Sequence, residues 1–234
     1  MSERAGTTER ADGRLPGWFE PLLTRVRDAR AVDFTRIPTP DEGGRPAAVL
    51  ILLAEGEQGP DVLIMQRAAT LRTHAGQPAF PGGAVEPQDA DLTETALREA
   101  NEEVGLDRSS VTVLAQLPTL WIPVTDFLVT PVLAWWHAPH PVGAHDPREV
   151  AHVARLPLAE LADPAHRLRV RHSSGWIGPA FHSRGMLVWG FTAGVLSTLL
   201  ELGGWARPWN TDRIEALPTP PATLSGTSDV PSVG

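Results

Sequence analysis

The 234-residue chain contains no cysteine, no tyrosine and no lysine; all 20 of its basic residues are arginine. Without cysteine there is no disulfide staple and no thiolate chemistry, and a reducing, cytoplasmic setting is the simplest expectation. Without lysine, a positive contact to a phosphate must come from arginine, histidine or backbone N–H groups. Excess positive charge is missing too: 28 acidic side chains give a formal net charge of −8, which argues against a general nucleic-acid binder but leaves room for a local arginine pocket. Residues 1 to about 14 are polar and have no apolar h-region, so no signal peptide is expected. The uncharged run Gly185 to Leu200 is shorter than the roughly 20 residues a membrane span needs. No membrane partner is expected.

What is present suits a globular fold. Hydrophobic residues make up 42% of the chain, enough for a sizeable core in one large or two small domains. No internal repeat is visible. The reading is one domain over 15–209, flanked by disordered ends at 1–14 and 210–234, the latter rich in Pro, Thr and Ser. Leu15 to Ala31 has the apolar spacing of an amphipathic helix, followed by a Pro/Gly connector from Ile37 to Pro46. Ala47–Ala54 and Asp61–Arg67 read as a hairpin, Val111–Ile122 and Phe127–Trp136 as strands, and Arg167–His172 with Gly178–Val188 as a second hairpin. In Gly185–Leu200, Gly190, Ala193, Gly194 and Ser197 fall on neighbouring turns, so the run reads as a core or homodimer-interface helix.

The most informative stretch is Gly82 to Leu106, GGAVEPQDADLTETALREANEEVGL. Asp91 with Glu94 three residues later predicts a capping box, and Gly105 suits a helix end. On such a helix Glu99, Glu102 and Glu103 fall within roughly 100° of one another, beside an apolar stripe of Leu92, Ala96, Leu97, Ala100 and Val104. The i, i+4 pair Glu99 and Glu103 repel each other, and Arg98 offsets part of this through Glu94 and Glu102. The geometry alone allows either a solvated acidic face or a site for a hard divalent cation, to which clustered carboxylate oxygens are suited. Before the helix, RAATLRTHAGQPAFPGG from Arg67 to Gly83 is a long loop rich in Gly and Pro, and ordered loops of this kind are often functional. Arg67 and Arg72 bracket it on one side and the acids follow on the other. A metal-bound pyrophosphate would need both.

These residues carry a resemblance. Gly83 to Leu106 resembles the Nudix box, G-x5-E-x7-R-E-x2-E-E-x-G-aliphatic, and its second half matches without a gap. The preceding R-A-x3-R-x3-G-x3-F-P-G-G is similar to the extra motif of the coenzyme A pyrophosphatase subgroup, with Arg67, Arg72, Gly76, Phe80, Pro81, Gly82 and Gly83 in register. The chain departs from the box at Asp89, where Glu is usual and eight rather than seven residues precede Arg98. Either Asp89 or Glu86 can fill that role. Leu63, Ile64, Met65 and Gln66 also depart from the subgroup pattern of two leucines and a threonine.

The resemblance implies a Nudix-type α/β/α sandwich with a mixed sheet. It implies Mg²⁺ or Mn²⁺ held by Glu99, Glu103 and Glu102 near the Gly83 backbone, with Glu149 of a later loop assisting as ligand or base. Arg98 would tie the loop to the helix, while Arg67, Arg72, Gly82 and Gly83 meet the substrate. The implied reaction is hydrolysis of a small-molecule diphosphate, foremost coenzyme A to 3',5'-ADP and 4'-phosphopantetheine. ADP-ribose or another nucleoside diphosphate derivative is the alternative, and a non-catalytic nucleotide-binding domain a third. His137, His140, His145 and His152 stand in one Pro-rich segment, but their spacing matches no rigid ligand set and reads as a solvated loop.

Overall fold

The structure is a computed structural model that describes residues 14–40, 42–71 and 74–217. Arg72 lies outside the described residues, as do 1–13 and 218–234 of the expected disordered ends. The N-terminal amphipathic stretch does not form one helix. A 3-10 turn at Gly17–Phe19 leads into α1 (Glu20–Val26), and a break separates it from α2 (Ala31–Phe34). Packing rather than propensity holds so short a helix as α1: Phe19 of the preceding turn and Leu22 and Val26 of the helix are buried.

β1 (Arg45–Gly56) and β2 (Gly59–Arg67) form the expected hairpin, closed at Gly56 opposite Gly59. β3 (Pro78–Ala79) pairs with β2, and β4 (Gly82–Ala84) with β1. Helix α3 (Leu92–Val104) follows, then β5 (Val111–Gln116), β6 (Leu120–Ile122) and β7 (Phe127–Trp136). β1 and β7 run parallel, with Arg45 opposite Phe127 and Leu53 opposite Trp135; the other pairings of this eight-stranded sheet are antiparallel. β8 (Val150–Pro157) pairs with β2, and the short α4 (Leu158–Ala162) leads from it to a smaller sheet. That sheet is ordered β11 (Met186–Val188), β10 (Ile177–Ser183), β9 (Arg167–Arg171), β12 (Ile214–Ala216), with α5 (Gly190–Leu202) between its last two strands in sequence.

Alternation along the large sheet sorts its side chains between two cores. Leu50, Leu52, Leu63, Met65, Val132 and Ala134 face Ala96, Leu97, Ala100 and Val104 of α3. Ile51, Leu53, Ile64 and Leu133 face Leu22 and Val26 of α1, Leu161 of α4, and Leu196 and Leu199 of α5. Helices on both faces of a mixed sheet make the α/β/α sandwich. At about 1.5–3 kcal/mol for each fully buried aliphatic side chain, these two layers dominate the favourable side of folding.

Three expectations change. The uncharged run starts as strand β11 and becomes helix only at Gly190, where φ is +66°. In that helix five apolar residues, Ala193, Val195, Leu196, Leu199 and Leu200, are buried in the core, Thr198 donates its hydroxyl to Asp33 O, and Arg25 Nη1 caps the helix C-terminus at Leu202 O (2.8 Å). The expected disordered tail at 210–217 is corrected, because β12 pairs with β9 and Arg213 Nη1 donates to Ala165 O. Its Thr and Asp residues make the turn at 211–212 rather than a coil. β8 is a strand that the sequence reading left out, since the charged PREVAHVAR obscures its alternation.

Candidate active site

Helix α3 is fixed at both ends by backbone chemistry. Asp91 accepts the Glu94 N–H at 2.9 Å as N-cap. The reciprocal half of the expected box is replaced: Glu94 turns its carboxylate to Arg108, 2.6 Å from Nη2. Gly105 ends the helix at φ +72°. The last carbonyls are satisfied by the histidine segment, with Gly143 N–H donating to Val104 O and His145 N–H to Glu103 O, both at 3.1 Å. His140 Nε2 accepts the Asp107 N–H while Nδ1 faces Pro141 O. The four histidines therefore do not assemble into a ligand set. Two of them brace the end of α3, instead of lying in a merely solvated loop.

The Gly82–Gly83 turn lies against this helix. Gly82 N–H donates to Glu103 Oε2 at 2.9 Å, and Arg67 Nη1 stands 3.6 Å from Glu103 Oε1. At Gly83, a Cβ would overlap the Glu99 carboxylate, so this close approach requires glycine. The arginine–glycine loop and the acidic helix thus meet at two carboxylates. Glu103 is only 6% exposed, and burial pushes its pKa up to about 8, with further upward pressure from Glu99 and Glu149 and opposition from the Gly82 N–H and Arg67. Burial also raises Glu99, countered by Arg98. Glu102 is exposed and pairs with Arg98 Nη1 at 3.1 Å.

Arg98 is the hub. Its Nε and Nη2 form a bidentate pair with Asp89 (2.8 and 3.0 Å), Nη2 also reaches Ala84 O, and Nη1 contacts Glu99 Oε1 at 3.1 Å. Its guanidinium is held well above the ordinary arginine range, chiefly by Asp89, whose own carboxyl is held far below the usual range, chiefly by Arg98. Asp89 also accepts from Glu86 N–H and from the Thr95 hydroxyl, both at 2.9 Å. Glu86, half exposed, stays 3.9 Å from Arg98. The extra residue before Arg98 is absorbed by the turn in which Asp89 N–H donates to Glu86 O. Asp89, the position that departs from the box, is the one that fills the place. Thr95 escaped the sequence reading; its signal is the three-residue helical spacing that puts it beside Arg98.

Glu149 sits just before β8. Its carbonyl accepts the Ala68 N–H at 2.8 Å, which pins it next to Arg67, close enough for its charge to act on Glu103. Arg67 Nε is buried and has no hydrogen-bond partner among the described residues. The donor set of Glu99, Glu102, Glu103, Glu149 and the adjacent backbone carbonyls is all oxygen, which fits a hard divalent cation. Two of those carboxylates are penalised by burial, a penalty that a cation relieves. In the present side-chain positions Arg98 and Arg67 hold these carboxylates, and no three acidic or imidazole groups among the described residues converge on one point.

A sequence family model described as the NUDIX domain matches residues 44–176. A protein of Cronobacter sakazakii named "Uncharacterized Nudix hydrolase NudL" is 42% identical over 167 residues, covering 68% of this chain and 83% of that one. A protein of the same name from Klebsiella pneumoniae is 41% identical over 172 residues, covering 70% and 85%. Among solved structures, a Nudix hydrolase from M. smegmatis, RenU, aligns with a TM-score of 0.47 at 22% identity, over 72% of this chain and 91% of that one.

Proposed function

The chain belongs to the Nudix hydrolase family, and from that premise we propose that it hydrolyses the diphosphate linkage of coenzyme A to 3',5'-ADP and 4'-phosphopantetheine. The observation that carries the reading is the meeting at Glu103 of Arg67 and Gly82, which belong to the arginine–glycine motif, with the acidic helix of the box. Glu99, Glu102 and Glu103, with Glu149 and the Gly83 backbone, would hold Mg²⁺ or Mn²⁺. Such an ion polarises phosphoryl oxygens, acidifies water and neutralises the leaving phosphate.

This chain's own residues then have separable tasks. Arg67 offers guanidinium donors to a phosphate oxygen, which suits a chain without lysine. Gly82 N–H orients the Glu103 carboxylate, and Arg98 with Asp89 sets the loop on the helix. Water adds its oxygen to one phosphorus, the bridging oxygen leaves with the other phosphate, and a nearby carboxylate such as Glu149 takes the proton. No helix among the described residues is long and apolar enough to cross a membrane.

The test is incubation of the purified protein with Mn²⁺ and, separately, coenzyme A and ADP-ribose, with products identified by mass. The expected result is faster turnover of coenzyme A, giving the two named products, and a KM rise of about tenfold in Arg67→Ala, the cost of losing one charged hydrogen bond. Faster cleavage of ADP-ribose moves the substrate; binding without turnover under any divalent cation removes the catalytic reading. Gly83→Ala supplies a second check. Its added methyl meets the flexible end of Glu99 rather than backbone, so the fold is expected to hold while displacement of Glu99 lowers kcat by about 10²-fold.

A further inference from the structure

Helix α5 reaches the glycine loop through Thr192. This residue, in the first turn of α5, is 5% exposed, and its hydroxyl donates to the Pro78 carbonyl at 3.1 Å. Thr198 on the same helix also reaches another element, donating to Asp33 O at 3.2 Å, with the Gly194 carbonyl four residues back at 3.4 Å as a local alternative. Thr192 spends its donor on another element.

From Pro78 the chain runs directly to Gly82, and little of that path can yield. Pro78 and Ala79 pair with Gln66 and Met65. Phe80 is 2% exposed, Pro81 O accepts the Leu50 N–H at 2.8 Å, and Pro78 and Pro81 have fixed φ. On the other side of Pro78, Gln77 O accepts the Arg67 N–H at 3.0 Å. A shift at Pro78 therefore passes to Arg67 in one direction and to Gly82 in the other, and both meet Glu103. A buried carbonyl stripped of its donor is costly and would be relieved by such a shift.

We propose that Thr192 is a positioning residue: through the Pro78–Gly82 segment it sets the Gly82 N–H against Glu103, so that the C-terminal helix governs the alignment of the acidic site. The proposal rests on the reading of Glu103 as a functional carboxylate. Thr192→Val keeps the shape and removes the hydroxyl, Thr192→Ser restores it, and Thr192→Ala leaves space for a bridging water. The measurements are kcat and KM on coenzyme A with Mn²⁺, and amide hydrogen exchange over residues 78–84 in the full-length protein. Thr192→Val is expected to lower kcat about tenfold, with KM changed less than about twofold and exchange faster in 78–84 while the β1 and β7 peptides stay protected. Thr192→Ser should return to within about twofold of wild type, and Thr192→Ala should fall between the two. The proposal is overturned if Thr192→Val, or Thr192→Ala where the valine variant does not fold, keeps wild-type kcat and wild-type exchange in this segment. A wild-type protein that cleaves no diphosphate defeats the proposed function instead, and the exchange result still decides the role of Thr192.

Discussion

Glu103→Gln is expected to lower kcat by roughly 10²- to 10⁴-fold, the range for loss of a positioned ionisable group, and to make the metal-free protein more stable at pH 8. The two readouts have one cause. The Glu103 carboxyl is pushed up to about 8 in the folded protein from an ordinary value of 4.5, mainly by burial. Its contribution to stability is therefore fully present below about 4.5 and is lost as pH rises towards about 8, because the folded state must surrender a proton it retains better than the unfolded chain does. Glutamine is neutral throughout, keeps an oxygen for the Gly82 N–H, and removes that slope. Thermal melts in chelator from pH 4 to 9 check it: the wild-type Tm should fall relative to the variant above about pH 5. A variant that is both inactive and less stable at pH 8 would mean that burial of this charge has been misjudged. Mn²⁺ should then raise the wild-type melting temperature more than the variant's, by linkage to binding.

Asp89→Asn should cost far more activity than Glu86→Gln, although Glu is the box residue and Asp the departure. Asp89 holds two edges of the Arg98 guanidinium and its carboxylate is 2% exposed, whereas Glu86 is half exposed at 3.9 Å. Losing the bidentate partner frees Arg98, and Arg98 is what holds Glu99 against Gly83. We expect about a 10²-fold loss of kcat in Asp89→Asn and less than about twofold in Glu86→Gln. Arg98→Lys should resemble Asp89→Asn, since an ammonium cannot form the fork. Asp89 also supplies the opposite pH slope to Glu103. Its carboxyl is depressed, so its contribution is present above the ordinary aspartate range and lost as pH falls through the folded value. Equal losses in the two variants would show that the shifted spacing is read differently.

The helix, its caps and the carboxylate face could be read from residues 91–105 because local rules govern them: an Asp N-cap, a glycine end and 3.6-residue periodicity. The β1–β2 hairpin was legible for the same reason. The partner of Glu94 was not, because Arg108 competes for it from beyond the helix. Nor was the choice between Asp89 and Glu86, which depends on how a four-residue turn folds back under Arg98. β8 hid because its start follows the charged Arg148 and Glu149 and its exposed positions are Ala151 and His152, which break a clean alternation, and β12 behind a polar composition that resembles an unstructured tail. For the two strands the deciding contact is made by residues distant in sequence, β8 with β2 and β12 with β9. Arg67 could be named from sequence as a cation beside the loop, but its placement against Glu103 depends on β2 and β4 flanking β1.

The parallel pairing of β1 with β7 has a consequence for how the protein is made. Arg45 lies opposite Phe127, so β1, the strand against which the glycine turn of β4 pairs, stays half-paired until about eighty further residues have left the ribosome. Helix α3 belongs to the loop closed by that pairing and buries its apolar stripe on strands from both ends of it. A nascent chain halted before Phe127 would therefore hold the whole acidic motif yet lack the part of its docking surface that Val132, Ala134 and Trp136 supply, and recovery of function on refolding should follow closure of this long-range strand pair rather than formation of the helix.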